Sequence, residues 1–468
     1  MSNVAEIKTK AIVNLDPVDY QEMPVFTTED YQARVKALLE LAGEKGYTHL
    51  VVYGDREHFS NVHFLTGYDP RFEETLLILS HDDLPVLLVG NEGMGYAGIS
   101  PLPLRLALFQ SFSLVGQPRG ESGKLEEIFA AAGINGQAQI GVIGWKSFRQ
   151  IEREDYQHCS EIPSYIIETL AALAKRENIC NANDLMIDND YGLRIRLDLK
   201  ELVRMELAGT MASRKVWDTI RLLQAGMSEM EASQALHLDG YPLSTHPNIN
   251  FGAENLAMGL ASPGFSRRLA VGDPVGVGFG YWGALVHKAG LYVKTAAEIP
   301  AALRQTAMPF FHKYFESVVA WYEAVRIGVP GGEVFHEVQK VLGDLERFGI
   351  TLNPGHLIHT DEWTNSPFFE GAAHPLASGM AIQCDFFAAL HEPYLGAHVE
   401  DGIFLADREM RAKLEASYPG VWQRIARRRE FMQNILGIRI AAEVMPASDL
   451  PGVFFPYMAD PEVILAMK

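Results

Sequence analysis

The sequence predicts a mixed α/β chain built from two domains. Three observations carry this reading. Strand and helix patterns interleave through the first half, a long amphipathic helix opens the second, and apolar strands holding isolated acids follow it. At 468 residues the chain is too long for one ordinary core. The expected division is 1–185 and 186–468, placed where the pattern loosens at Asn181 to Asp190 (NANDLMIDND).

In the first half, apolar residues at helical spacing run over 29–46 and stop at Gly46. A strand at 49–53 follows, and the apolar stretch Asn61-Val62-His63-Phe64-Leu65-Thr66-Gly67-Tyr68 reads as another. Strands at 74–80 and 84–90 flank a His81-Asp82-Asp83 turn. A helix over 124–132 and a strand at 140–143 complete the alternation. Interleaving of this kind predicts an α/β domain with a largely buried sheet. His63 either faces a site or is a half-buried histidine beside a loop.

In the second half a helix is predicted over 199–225, ended by Gly226, and Ser228 with Glu231 forms a capping box for the next. From Tyr241 the chain turns rich in Gly, Pro and Asn, which predicts loops and short strands near a cleft. Further helices are expected over 300–327 and 331–348, and a basic one over 423–439. Residues 278–283 satisfy G-x-G-x-x-G, a pattern that binds dinucleotides only where a helix starts at its glycines. Here strand patterns flank it, so a glycine-rich hairpin is the reading.

Composition excludes several functions. Apolar residues make up 48% and charged residues 21%, values of a globular chain. Fifty-nine acids against 40 bases give a net charge of −19, which argues against phosphate-driven nucleic-acid binding. The three cysteines, Cys159, Cys180 and Cys384, fit neither a zinc pattern nor a disulfide framework, which points to a reducing compartment. The N-terminus lacks a signal-peptide core and no run is long enough to span a membrane, so the expected location is cytoplasmic.

The chemistry concentrates in one region. Gly355 to Trp363 (GHLIHTDEW) holds two histidines and two acids straight after the Asn353-Pro354-Gly355 turn. Gly379-Met380 then opens an apolar run reaching Asp385, and Gly396-Ala397-His398-Val399-Glu400-Asp401 places another acid at the end of a hairpin pattern. Acids within apolar strands are costly unless paired, metal-bound or functional. His391 and His398 read as neighbouring polar loop residues.

The order of these parts resembles the creatinase/prolidase/aminopeptidase P family. The resemblance rests on Asn61 to Tyr68, Gly226-Met227-Ser228-Glu229, Gly252-Ala253-Glu254-Asn255, Gly272-Asp273-Pro274-Val275, Gly355-His356, Gly379-Met380 and Val399-Glu400-Asp401-Gly402. It implies a creatinase-like N-terminal α/β domain followed by a C-terminal pita-bread catalytic domain, and a homodimer. Metal-dependent members bind two divalent ions through two aspartates, a histidine and two glutamates. His356 falls at the histidine, Asp385 at the first glutamate and Glu400 at the second. The aspartates are missing: one falls at about Gly278, and 284–290 supply no acid for the other. The substrate-side histidine, expected near Leu260 or Ala261, is missing too, and Trp363 replaces a later one.

Two divalent ions need several carboxylates to offset their repulsion, so a dinuclear site is not expected. The resemblance therefore implies a metal-free cleft, with one divalent ion such as Mn or Zn at His356, Asp385 and Glu400 as the alternative. The expected function is a creatinase-like, metal-independent hydrolase or lyase cleaving a C–N type bond of a small polar molecule, cationic or zwitterionic. His356 transfers protons, Asp385 and Glu400 orient it or bind substrate, and His359 is a further catalytic candidate. Substrate-binding candidates are His287, Lys288, Asp361, Glu362, Trp363, Trp282 and His63. An Xaa-Pro dipeptidase or aminopeptidase with a single metal, and an inactive peptide-binding protein, are the alternatives.

Overall fold

Strand β14 (Tyr394–Leu405) is the longest strand and the hub of the chain's largest sheet, pairing with four other strands. The computed structural model describes residues 3–9 and 18–468. The chain divides into two compact units. One is Val25–Ile195; the other is Arg196–Lys468 with the described residues of the N-terminal segment. The expected boundary between residues 185 and 186 falls inside the short helix Asp184–Ile187.

Strand β1 (Val4–Lys8) pairs antiparallel with β16 (Val463–Met467) in the second unit. The Val25–Ile195 unit holds a six-stranded sheet ordered β5-β4-β3-β2-β6-β7. Its strands are β2 (His49–Gly54), β3 (Thr75–Ser80), β4 (Val86–Val89), β5 (Arg105–Leu108), β6 (Ile140–Ile143) and β7 (Ile179–Asn181). The β2–β3 and β3–β4 pairs are antiparallel, and the other three are parallel. Val51, Ile78, Leu88, Ile140 and Val142 meet Phe129 of helix Leu125–Ala131 and Ile166 and Leu170 of helix Ser164–Ala174 in one core. The apolar run at 61–68, read as a strand, is instead the helix Ser60–Thr66, closed by Gly67 at φ 75°. Short apolar runs leave helix and strand unresolved, and here Thr66 Oγ1 donates to the Val62 carbonyl one turn back at 2.7 Å.

The second unit holds an eight-stranded antiparallel sheet. Its main path runs β11 (His356–Leu357), β12 (Ala381–Cys384), β14, β10 (Ala284–Leu291), β9 (Pro274–Tyr281) and β8 (Asn248–Phe251). Strands β13 (Ala388–His391) and β15 (Val444–Pro446) also pair with β14. Helix Leu199–Leu222 packs on β9 and β10. It begins where Asp198 accepts from the Glu201 amide at 2.9 Å, and it stops before Ala225. The capping box of Ser228 and Glu231 forms as expected. The other helices are shorter or shifted: Ala307–Ala324, Gly331–Leu342 and Pro419–Asn434. Residues 278–283 lie in the β9–β10 hairpin, turning at Trp282-Gly283 with Gly283 at φ 90°, and no helix follows the glycines.

Alternation along β10 and β14 separates two charged systems. His287 is paired in register with Glu400, while their neighbours Lys288 and Asp401 point to the opposite face. Lys288 Nζ lies 2.5 Å from Asp401 Oδ2 and 3.0 Å from the Leu450 carbonyl; Asp401 also accepts from Ser448 Oγ and the Gly452 amide. Both side chains are fully buried, and removing one partner would strand a buried charge. Lys288→Ala is expected to lower stability by about 3–5 kcal/mol in urea unfolding, and Lys288→Met combined with Asp401→Asn to recover more than half of that loss. An unchanged midpoint for Lys288→Ala would sink this account.

Candidate active site

The site forms where the start of β11, the end of β12 and the middle of β14 meet. Gly355 adopts φ 117° as the chain enters β11, and a Cβ there would lie 2.7 Å from the Gln383 carbonyl, so the turn before His356 requires glycine. His356 pairs with Gln383 in register, and Cys384 pairs with Asp401. The period of two then turns Gln383 and Asp385 to one face of β12, and His398 and Glu400 to the matching face of β14.

One atom each from His356, Glu362, Asp385 and Glu400 lies within 4.8 Å of all the others. Among the described residues this is the one such cluster of histidine, cysteine and acid side chains. His356 Nε2 is 3.0 Å from Glu362 Oε1 and 3.5 Å from Asp385 Oδ2, while Nδ1 is 3.2 Å from the Leu357 carbonyl. The Trp363 ring stacks on the imidazole, centroids 4.2 Å apart and planes 14° from parallel. His356 is fully buried, Glu400 nearly so, and Trp363 remains 38% exposed at the mouth. Glu362 is the most open of the four, its side chain 29% exposed against 18% for Asp385.

Three carboxylates so close cannot all carry charge without a cation among them. Burial, then repulsion from Asp385 and Glu362, pushes Glu400 well above the ordinary carboxylate range. Burial opposes charge on Asp385 as well, yet hydrogen bonds from His356 and His398 outweigh it and hold the group low. His356 loses to burial but gains more from Glu362 and Asp385, and it is raised well above an ordinary imidazole.

A second line of groups stands behind Asp385. His398 Nε2 lies 2.6 Å from Asp385 Oδ1, and His398 Nδ1 lies 2.7 Å from Nδ1 of His287. Gln383 Nε2 reaches the Leu285 carbonyl at 2.6 Å and Glu400 Oε1 at 3.3 Å. His398 is therefore a buried strand residue beside the cluster, correcting its reading as a loop histidine. It and Gln383 were missed, although each lies two residues before an acid already singled out.

The remaining candidates are placed differently. His359 is fully buried, its Nε2 3.7 Å from Glu201 of the long helix and its Nδ1 3.0 Å from Thr360 Oγ1, outside the four-residue cluster. The Asp361 carbonyl accepts from the His359 amide, and its carboxylate accepts from Thr364 Oγ1 at 3.4 Å. Lys288 is consumed by Asp401 on the far face of the sheet. Trp282 is half-buried at the hairpin turn. His63 belongs to the Val25–Ile195 unit, on a helix rather than a strand.

No protein-family model matches the sequence, and no curated protein matches it. Solved structures do match. The dipeptidase PepE from Mycobacterium ulcerans is 19% identical at TM-score 0.63, covering 82% of this chain and 95% of that one. The prolidase from Pyrococcus horikoshii OT3 is 17% identical at TM-score 0.61, over 80% and 95% of the two chains. The X-Pro aminopeptidase from Thermotoga maritima MSB8 is 12% identical at TM-score 0.60, over 80% and 95%. This is the pita-bread fold. At such identities the likeness speaks to the fold and leaves the chemistry to the side chains present.

Within the pita-bread frame, the strand position where the resemblance places a metal-binding aspartate is filled from elsewhere. A Cβ on Gly278 would stand 2.4 Å from His287 Cδ2, and one on Gly276 would stand 2.6 Å from Leu256 Cδ1 and 3.0 Å from His287 Nε2. The two glycines make the slot that the imidazole occupies. Gly278→Ala is expected to cost about 1–3 kcal/mol in urea unfolding by overpacking against His287. Gly278→Ala with His287→Ala should be less destabilised than the sum of the two single variants. Additive losses would mean that Gly278 serves something other than His287.

Proposed function

We propose that the chain is a hydrolase acting on a C–N bond of a small polar molecule, with a cleft built for one divalent cation. The observation that carries this reading is the convergence of His356, Glu362, Asp385 and Glu400 within 4.8 Å. A pair of ions does not fit, because Gly278 and residues 284–290 offer no carboxylate. A single ion fits: one imidazole nitrogen and several carboxylate oxygens converge, and His356 Nδ1 faces a backbone carbonyl, which leaves Nε2 as the inward nitrogen.

In this reading His356, Asp385 and Glu400 hold the ion, which when bound lowers the pKa of water and polarises a carbonyl. Glu362, the most solvent-accessible of the four, takes the proton from the attacking water and delivers it to the departing nitrogen. Trp363 covers one face of His356 and presents an aromatic surface to the substrate at the mouth. The neighbours in the fold are named for dipeptides and X-Pro peptides, so Xaa-Pro dipeptides belong in the substrate panel beside small ureide, amidine and N-acyl compounds.

One observation favours a second reading, in which His356 itself supplies the positive charge. Its Nε2 already lies within 3.5 Å of two carboxylates, so a proton there can take the ion's place. The cleft is then a metal-free, creatinase-like hydrolase or lyase with His356 as the proton carrier.

Elemental analysis of the purified protein, paired with assays with and without added Mn²⁺ or Zn²⁺, separates the two. One ion per chain and metal-dependent cleavage are expected. No bound metal together with metal-independent turnover would establish the second reading instead. Glu362→Gln should keep the metal and lose about 10²–10⁴-fold in kcat, the range for losing a proton-transfer group. His356→Ala should lose metal and activity together. Loss of metal from Glu362→Gln would move that residue among the ligands.

A further inference from the structure

The two central acids each have one oxygen already engaged. Asp385 turns Oδ2 toward His356, while Oδ1 accepts from His398 Nε2 at 2.6 Å. Glu400 Oε1 faces the Gln383 amide, whose nitrogen is anchored on the Leu285 carbonyl. His398 is held in turn. Its Nδ1 and that of His287 are 2.7 Å apart, a distance that requires one proton between them. At 2.6 Å from a carboxylate oxygen, His398 Nε2 is placed to donate its N–H to Asp385. Both rings are buried, 6% and 7% exposed. The His287 ring lies against Gly276 and Gly278, and a Cβ on Gly278 would stand 2.4 Å from its Cδ2.

This arrangement bears on how many ions the cluster can take. Two-metal sites hold their ions about 3.5–4 Å apart, and bridging carboxylates must then offer both oxygens to offset the repulsion. An oxygen locked onto a buried N–H cannot also bind a second cation without giving up that hydrogen bond.

We propose that His398, braced by His287, and Gln383 are positioning residues that leave Asp385 and Glu400 one inward oxygen each and so limit the cluster to a single divalent cation. The inference deepens the proposed metal-binding reading and rests on it for the ion count. The histidine pair does for Asp385 what a second ion would otherwise do: it supplies a fixed positive edge to the outer oxygen. It does so without adding a second divalent charge to a buried site.

The test uses the full-length protein, stripped with a chelator and titrated with Mn²⁺ by calorimetry and electron paramagnetic resonance. ¹⁵N-histidine NMR of the metal-free protein reports which imidazole nitrogens carry protons. Wild type should bind one Mn²⁺ per chain with an uncoupled six-line spectrum, and His398 should be protonated at Nε2. His398→Leu, which keeps volume but removes the donor, should bind Mn²⁺ about 10–100-fold more weakly, as loss of a ligand's outer partner does. His398→Gln, which keeps an N–H toward Asp385, should recover most of that loss. Circular dichroism checks that both variants are folded.

Two Mn²⁺ per chain with a spin-coupled spectrum would overturn the single-ion limit. Unaltered Mn²⁺ affinity in His398→Leu, or an Nε2 without a proton, would overturn the positioning role. No bound Mn²⁺ in wild type would overturn the metal reading and the ion count. The NMR result would then decide by itself whether His398 clamps Asp385.

Discussion

The two-residue period of β14 is the constraint on which the rest of this site depends. His398 and Glu400 turn to one face, Val399 and Asp401 to the other, and β10 repeats the division with His287 and Lys288. One face thereby collects the imidazoles and the clustered carboxylates; the other closes a buried lysine–aspartate pair. A slip of one residue between these strands would exchange the two systems and leave a lysine among the site acids. The network around Asp401, with Ser448, Leu450 and Gly452, ties the far face to the chain's last segment and so pins the register.

Charge balance is the second constraint. Glu362, Asp385 and Glu400 crowd one another, and burial alone would push Asp385 and Glu400 above the ordinary carboxylate range. The protein answers with donors rather than bulk solvent: His356 and His398 on Asp385, and Gln383 on Glu400. The result is graded. Hydrogen bonds hold Asp385 below the ordinary carboxylate range, while burial and the neighbouring acids push Glu400 above it. The geometry thus favours positive charge beside these acids, and His356, raised well above an ordinary imidazole by Glu362 and Asp385, is one source of it.

The glycines of β9 make room for a buried imidazole beside the site. The space beside Gly278 is filled by His287, which is paired through His398 to Asp385. The fold, shared with the dipeptidase and the aminopeptidase named above at 19% and 12% identity, leaves the chemistry to this constellation.

Much of this was legible in the residues themselves. Alternating strand and helix patterns, the Ser228 capping box and the hairpin at 278–283 follow from local rules of periodicity and turn chemistry, and the structure contains them. His356, Asp385 and Glu400 stood out because acids and a histidine in apolar strands demand a reason. The run at 61–68 misled because four apolar residues without alternation suit a helix as well as a strand. His398 and Lys288 could not be sorted by local pattern, since each is a polar residue beside a candidate. Only the pairing of β10 with β14 shows that His398 faces Asp385 and that Lys288 faces Asp401. The sequence by itself determined which residues must be buried and which strands carry acids, because periodicity is a local property. The tertiary structure decided which buried polar groups meet, because strand register and the direction of a side chain are set by partners distant along the chain.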